Sequence, residues 1–471
     1  CLQKWRLNMA DNRKSTAASF IDKVFVVKNK GRRTSRGTRG RKTVDVANGV
    51  VNLKYFESLL QDHVVMEVSF ADSGGAVDNK SAVDGLPIEN EAKVEVKLRD
   101  TKKNKLEFTD RRNNSFRVEK VTTIGDDATK TVATMQLVTY EAIKNNYASV
   151  EIRKDGKISE HVKRIFKDKK YLNTKKKLNI DDTANNLNYC FAKNKPFYVL
   201  NRISKDAVPQ GADTNGGSLL GKSAGFLFYE TYKGFYFKGI DSLFAQEPKK
   251  KIIFNNTPGE TVPEGYDTKA LTYQKQGTAS QTAKLRGGAF NTKNIQFNPY
   301  KLEYKVDTLS SFDLEESLSL GGGEFPTLNM EFQSGEPDDG TTRTTFLINV
   351  PGTLVEGSGL GVEQEQLAKS EDFNFDAKSI MNQSIMRYNQ FFQQKVSITI
   401  GGDFSLHAGD TVEFFTNQQG QPDKKSCGDD VDKYNGGKYV IATLCHYLTP
   451  DNTYTKLELV RDSVGKVETS A

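Results

Sequence analysis

The sequence is poor in the residues that most often carry chemistry. Its 471 residues include four cysteines, four histidines and a single tryptophan. Cys1, Cys190, Cys427 and Cys445 lie far apart with no CxxC pair, which argues against a zinc ribbon and against a disulfide framework. The expectation is a reduced chain assembled in the cytoplasm. His63, His161, His407 and His446 include no HExxH pair, so ordinary structural or surface roles are expected of them and no metal site. No apolar run approaches the ~20 residues of a membrane helix, and the N-terminal stretch has no signal-peptide apolar region. No membrane anchor is therefore expected. Met9-Ala10-Asp11 resembles a natural start, which would make Cys1–Asn8 extraneous.

What the chain does have is 28 Phe and 18 Tyr within a composition that is 36% hydrophobic and 27% charged. These aromatics argue against global disorder and for cores built on Phe and Tyr, under a polar surface. The length fits about three domains at ~150 residues each. The net charge of +7 is modest, and much of it sits between Lys28 and Lys42.

Residues 1–42 read as a flexible basic arm. The run KNKGRRTSRGTRGRK holds eight Lys or Arg that repel one another, while Gly31, Ser35, Gly37 and Gly40 keep it extended. Arg32, Arg33, Arg36, Arg39, Arg41 and Lys42 are its candidate partner-binding residues. They read first as a solvated tail, with threading into an acidic neighbouring subunit and neutralisation of phosphates as the alternatives. Only Phe20 and Phe25 lie nearby, which is little aromatic surface for stacking bases.

Residues 43–150 alternate with the period of strands. Val64, Met66, Val68 and Phe70 share one face, as do Val94, Val96 and Leu98, while Val51–Leu60 reads as one or two helical turns. A sandwich or small barrel is expected there. Residues 151–221 read as a small α-rich domain. Ser159 would cap a helix carrying Val162, Ile165 and Phe166, and Pro196 would open another with Phe197, Leu200 and Ile203. Residues 222–306 return to strands leading into a second barrel, with a tight hairpin at Tyr232-Lys233-Gly234. Residues 307–370, with Gly321-Gly322-Gly323 and Pro337-Asp338-Asp339-Gly340, read as a long loop or insertion. Residues 371–471 begin with a helix over 376–394, capped by Asp376 and bearing Ala377, Ile380, Met381, Ile385, Tyr388 and Phe392, and end in strands.

Catalytic readings fare poorly. No phosphate-binding loop and no nucleophile elbow are expected; Gly357-Ser358-Gly359-Leu360-Gly361 is followed at once by acidic Glu363 and Glu365 and reads as loop. Asp313, Glu315 and Glu316 could pair for glycoside hydrolysis, but neighbouring acids read more simply as a solvated face.

A family resemblance rests on three ordered stretches. They are ITIGGDFSLHAGDTVEFF with GGKYVIATLCHYL and YTKLELVRD at the end, KPFYVLNRIS followed by GFLFYETYKGFYFKGIDSLF in the middle, and Leu53 through Phe70 near the start. In this order the chain resembles the baseplate hub proteins of T-even-like contractile-tailed phages. The resemblance implies a mainly β chain with α+β parts: two similar antiparallel, tail-tube-like β-barrels, an α-rich linker domain and an inserted loop region. It implies a homotrimer whose six barrels form a ring joining the central spike protein to the tail tube or its initiator. The tape measure and the exiting genome would pass through, and the location would be the virion baseplate. It implies no enzyme and no cofactor. The alternatives of other classes are a nucleic-acid-binding protein using the arm and a tail-associated cell-wall hydrolase.

Overall fold

The computed structural model describes residues 19–27, 43–75, 80–86, 88, 91–127, 130–153, 156–185, 190–210, 223–255, 262–278, 280–299, 302–310, 343–348, 378–417, 432 and 435–463. Strands dominate, and most of them join one sheet that passes through two rings.

The first ring uses β1 (Ser19–Val27), β2 (Thr43–Asp45), β3 (Val50–Ser58), β4 (Val65–Asp72), β5 (Lys93–Asp100), β6 (Lys105–Phe108), β7 (Phe116–Asp127) and β8 (Lys130–Thr139), with the short helix α1 (Ala82–Gly85) before β5. Only Val46 and the 3-10 turn Ala47–Gly49 separate β2 from β3, so the two act as one bent strand. Its first part pairs with β1 (Val26↔Val44) and its second with β4 (Leu53↔Val68). The pairs β1–β5, β5–β7, β7–β8 and β8–β4 complete the circuit, and β6 adds to the edge of β5.

Two expectations change here. Residues 51–60 were read as helical turns, yet Val50–Ser58 is a strand with Leu53, Tyr55 and Glu57 on its buried face. Aromatic and β-branched residues paired along both edges override a short amphipathic pattern. Ser19–Val27, placed in the arm, is a ring strand: Val24 and Val26 enter the core and β5 pairs along its whole length.

A middle module follows. It holds α2 (Tyr140–Tyr147), β9 (Val150–Arg153), α3 (Ile158–Lys167), β10 (Leu178–Ile180), β11 (Cys190–Asn194), α4 (Pro196–Ser204), β12 (Phe226–Thr231), β13 (Gly234–Gly239) and α5 (Ile240–Phe244). The β12–β13 hairpin turns at Tyr232-Lys233 as expected, but β13 pairs with β10, and Phe228 of β12 and Phe235 of β13 pack against Phe166 and Phe197. It therefore belongs to this module's core and does not lead directly into a barrel. Pro196 opens α4 as expected, since its missing N–H is not needed in the first turn. Ser159 is not a cap: α3 starts at Ile158, and the Ser159 N–H donates to Thr183 Oγ1.

The second ring consists of β14 (Lys251–Phe254), β15 (Thr268–Thr278), β19 (Gln394–Gly401), β20 (Thr411–Thr416), β21 (Gly437–Leu448) and β22 (Thr453–Arg461). It closes in the order β14-β15-β19-β22-β21-β20. With β2 and β3 counted as one strand and each ring numbered in chain order, both rings read 1-2-3-6-5-4. They differ in their first strand: β1 is antiparallel to both neighbours, while β14 is parallel to both.

An excursion separates β15 from β19. It contains α6 (Gln281–Gly287), a sheet of β16 (Asn291–Asn298), β17 (Glu303–Ser310) and β18 (Arg343–Ile348), and α7 (Gln383–Phe391). The stretch 307–370, expected as loop, thus includes the end of β17 and all of β18, both paired with β16. Residues 311–342 and 349–370, with Gly321–Gly323, Pro337–Gly340 and Gly357–Gly361, lie outside the described residues, as do Asp376 and Ala377. The helix is shorter than 376–394 and follows a π-turn at Lys378–Asn382. It buries Gln383, Ser384, Met386, Arg387, Gln390 and Phe391, while Ile385, Tyr388 and Phe392 are half-buried. Tyr388 and Phe392 of the expected stripe pack against an apolar cluster, but Arg387 and Gln390 also turn inward, to Asp241, Asp462 and the Ala289 carbonyl.

If Ser19–Val27 is part of the first ring, Val24→Asp places an uncompensated charge in its core. The expected cost is roughly 3–5 kcal/mol, read as a lower urea midpoint. An unchanged midpoint would return that segment to the arm.

Candidate functional site: the polar junction of the two rings

The rings are joined by one antiparallel pair, β3 with β21, running from Leu53↔Leu448 to Ser58↔Thr443. β21 pairs with β20 at its start and with β3 at its end, so a single strand is shared between the ring wall and the junction. Inward positions alternate along β3, which brings Tyr55 and Glu57 to the same buried side.

Glu57 is fully buried. Its Oε1 accepts from Tyr55 Oη at 2.6 Å, the Tyr232 N–H at 2.8 Å and His407 Nδ1 at 3.1 Å; its Oε2 accepts from the Ala408 N–H at 2.9 Å. The donors come from the first ring, the middle-module hairpin and the loop between β19 and β20. Burial pushes this carboxyl up, but His407 and the hydrogen bonds outweigh it and hold the group below its ordinary value. The loop reaches Glu57 through Gly409, whose φ of 84° and closeness to the Tyr229 hydroxyl leave no room for a Cβ. His446 lies alongside, between Tyr55 and Phe404, with Nδ1 2.9 Å from Thr455 Oγ1. Burial pushes its imidazole down to about 3.

Three further buried ion clusters bind the parts together. Lys176 bridges Glu141 at 2.7 Å and Glu230 at 2.6 Å. Glu230 also accepts from the Val64 N–H and Thr139 Oγ1, which ties the middle module to the first ring. Burial and the neighbouring Glu141 push the Glu230 carboxyl up to about 6 against the pull of Lys176. Arg387 of α7 donates to Asp241 at 2.6 Å and Asp462 at 2.9 Å, linking α5, α7 and the end of β22. Asp403 pairs with Lys250 of the second ring and, at 3.4 Å, with Lys102 of the first. Burial opposes its ionisation, yet the two ammonium groups bring it down to about 2.

One hollow of about 400 Å3 is lined by Lys163, Lys167, Lys175 and Lys176 and so borders the Lys176 cluster; another of about 500 Å3 lies beside Phe56, Glu67 and Lys120. Among the described residues, no group of three or more His, Cys, Asp or Glu is placed to hold a metal ion. Sequence spacing could not show that His407 and His446 gather around Glu57, since strand pairing across the chain does this. His161 is buried in α3, and His63 is half-buried against Phe197.

The expectation of no phosphate loop or nucleophile elbow needs correction as a statement about pattern. Gly216-Gly217-Ser218-Leu219-Leu220-Gly221-Lys222-Ser223 has the spacing of a P-loop, and Gly221–Gly225 that of a G-x-S-x-G elbow. Neither has the required setting: strand β12 follows where a helix is needed, and Ser223 is buried with its hydroxyl on Asp241. Residues 216–222 lie outside the described residues. So do Arg32, Arg33, Arg36, Arg39, Arg41 and Lys42, and the carboxylates Asp313, Glu315 and Glu316.

No family model matches the chain, and no curated protein sequence matches it. Solved structures do show likeness. The tail protein from Neisseria meningitidis MC58 is 9% identical, with 95% of this chain and 98% of that one covered and a TM-score of 0.47. The 43 kDa tail protein of prophage MuSo2 from Shewanella oneidensis is also 9% identical, with 95% and 100% covered and a TM-score of 0.46. A prophage tail protein from Listeria monocytogenes EGD-e is 10% identical, with 93% and 94% covered and a TM-score of 0.43.

Glu57→Gln keeps the shape of the junction and removes its charge. A loss of roughly 2–4 kcal/mol in urea unfolding is expected. A loss under ~0.5 kcal/mol would show that the junction does not depend on that charge. His446 gives a pH signature. Its imidazole binds a proton in the unfolded chain near 6.5 but in the folded one only near 3, so its stabilising contribution is complete above 6.5 and lost as pH falls towards 3. In that window the slope should reach up to about 1.4 kcal/mol per pH unit. His446→Phe should flatten it, as read from thermal midpoints measured across the series.

Proposed function

We propose that the chain is a structural component of a contractile phage tail, the baseplate hub that adapts a threefold spike to a sixfold tube. The observation that carries this reading is the presence of two six-strand rings of the same strand order, fused through β3–β21 in one polypeptide. Three copies then supply six like rings, and the mismatch between threefold and sixfold symmetry is absorbed within each chain. The sequence resemblance of the closing, middle and opening stretches supports the same assignment.

The role is mechanical. A junction held by buried, charge-assisted hydrogen bonds keeps the two rings in fixed register, as a stiff adaptor requires. The partners are two further copies, the central spike protein and the tail tube or its initiator, with a lumen for the tape measure and the genome. The basic run Arg32 through Lys42, which in sequence joins β1 to β2, would reach an acidic neighbouring subunit. The location is the virion baseplate after assembly in the host cytoplasm.

Native mass measurement tests the reading on the full chain, alone and mixed with its spike protein. The expected species has three times the 52.6 kDa of one chain. A stable monomer at micromolar concentration under both conditions would refute it. A DNA-binding assay across a salt series separates the arm's two roles: an affinity that falls steeply with salt on any sequence would favour a nucleic-acid-binding protein.

A further inference from the structure

The middle module carries a free strand edge beside a basic hollow. Its sheet has the order β10-β13-β12, so among the described residues β10 has a strand neighbour on one side only. The ladder with β13 fixes which backbone groups are already used. The Phe235 N–H donates to the Lys177 carbonyl at 3.0 Å, and the Asp181 N–H to the Phe237 carbonyl at 3.0 Å. Backbone groups of successive residues point to opposite edges of a strand. Residues 177, 179 and 181 therefore face β13, while Leu178 and Ile180 turn their N–H and C=O away from it. Among the described residues, no hydrogen bond reaches any of these four groups. Two donors and two acceptors in a row are a template for an added strand.

The charge around that edge selects what can add to it. The hollow of about 400 Å3 is bounded by Lys163 and Lys167 of α3, by Lys175 and Lys176 just before β10, and by Leu178 and Ile180. Residues 163–177 hold seven lysines and one arginine against one aspartate, so the segment cannot neutralise itself. The nearby carboxylates are committed. Asp182 takes Lys163 at 2.9 Å, Glu141 and Glu230 take Lys176, and Asp168 accepts from the Lys170 N–H at 2.8 Å. Lys167 and Lys175 are exposed and have no ion pair among the described residues. Ammonium groups along an edge turn away basic and apolar strands, which protects the edge, but they attract an acidic one.

A peptide suits this place better than a nucleic acid does. Leu178 and Ile180 are half-buried against the module's core, so an added strand would meet apolar side chains on one side and backbone groups along its length. Single-stranded nucleic acid needs aromatic faces on which to stack its bases, and the ring nearest in sequence, Tyr171, is buried. We propose that β10 takes up an extended, acidic peptide segment of a partner protein as a fourth strand of this sheet, its carboxylates meeting Lys167 and Lys175. The site lies on the middle module, goes beyond the hub reading and does not depend on the number of copies in the assembly.

The test titrates the full chain, by fluorescence anisotropy, with a labelled peptide of about eight residues that alternates Glu with Val. Controls are the same peptide with every second amide N-methylated, a Lys/Val peptide, and a single-stranded DNA oligonucleotide. The Glu/Val peptide is expected to saturate below about 1 mM and to bind more weakly as salt rises. The N-methylated and Lys/Val peptides should not bind. Lys167→Glu/Lys175→Glu should melt as the parent does and bind the Glu/Val peptide roughly tenfold more weakly. Amide exchange at Leu178 and Ile180 should slow when the peptide is added to the parent. Absence of saturation, an unchanged affinity in the variant, or unchanged exchange at those two amides would overturn the proposal. Equal binding of the N-methylated peptide would do so without any substitution in the protein, since charge alone would then account for the affinity. Binding of the oligonucleotide in place of the peptide, lost in the variant, would assign the hollow to nucleic acid instead. None of these results bears on the mass of the native assembly, so failure here and failure of the hub reading are told apart.

Discussion

A carboxylate with no water around it must find its hydrogen-bond donors inside the protein, and Glu57 finds them in three distant parts of the chain. That requirement fixes the geometry around it. The β19–β20 loop must bend at Gly409, the hairpin must present the Tyr232 N–H, and β3 must hold the register that turns Glu57 inward. A one-residue slip of β3 against β21 would turn Glu57 to the opposite face and leave those donors unmatched. The junction is therefore specific as well as stable, which a purely apolar seam of the same area would be less able to ensure.

The same arrangement recurs in a coarser form. Lys176 and Arg387 each sit between two carboxylates drawn from different elements, and Asp403 takes one lysine from each ring. Such buried pairs add little net stability over apolar packing, but breaking one leaves an uncompensated charge. Their effect is to make wrong arrangements of rings and module expensive. The apolar core, which runs through both rings as one cluster, supplies the bulk of the stabilisation.

The fold was legible in the sequence wherever a pattern is local. Alternation in Val64–Phe70 and Val94–Leu98 gave strands, Pro196 gave a helix start, and Tyr232-Lys233-Gly234 gave a hairpin. It failed where the neighbours decide. Residues 51–60 look amphipathic in isolation and become a strand because two partners flank them. Ser19–Val27 lies next to a repelling basic run, yet Val24 and Val26 are drawn into a core by β5. The helix after Lys378 turns Arg387 and Gln390 inward because Asp241, Asp462 and a backbone carbonyl await them. The shared strand order of the rings was invisible, since alternation specifies which face is buried but not which strand lies alongside. The Glu57 cluster was hidden for the same reason: its members are scattered from Tyr55 to His446.

The pairing of β3 with β21 also sets a timetable for synthesis. Ser58 and Thr443, joined through their hydroxyls, are 385 positions apart. At the ~5–20 residues per second of a ribosome, the outer edge of β3 waits tens of seconds for its partner to emerge. During that interval the nascent first ring carries an open edge beside an unanswered Glu57. Until the hairpin and the β19–β20 loop are made, Glu57 lacks the Tyr232 and Ala408 N–H donors and keeps its hydration.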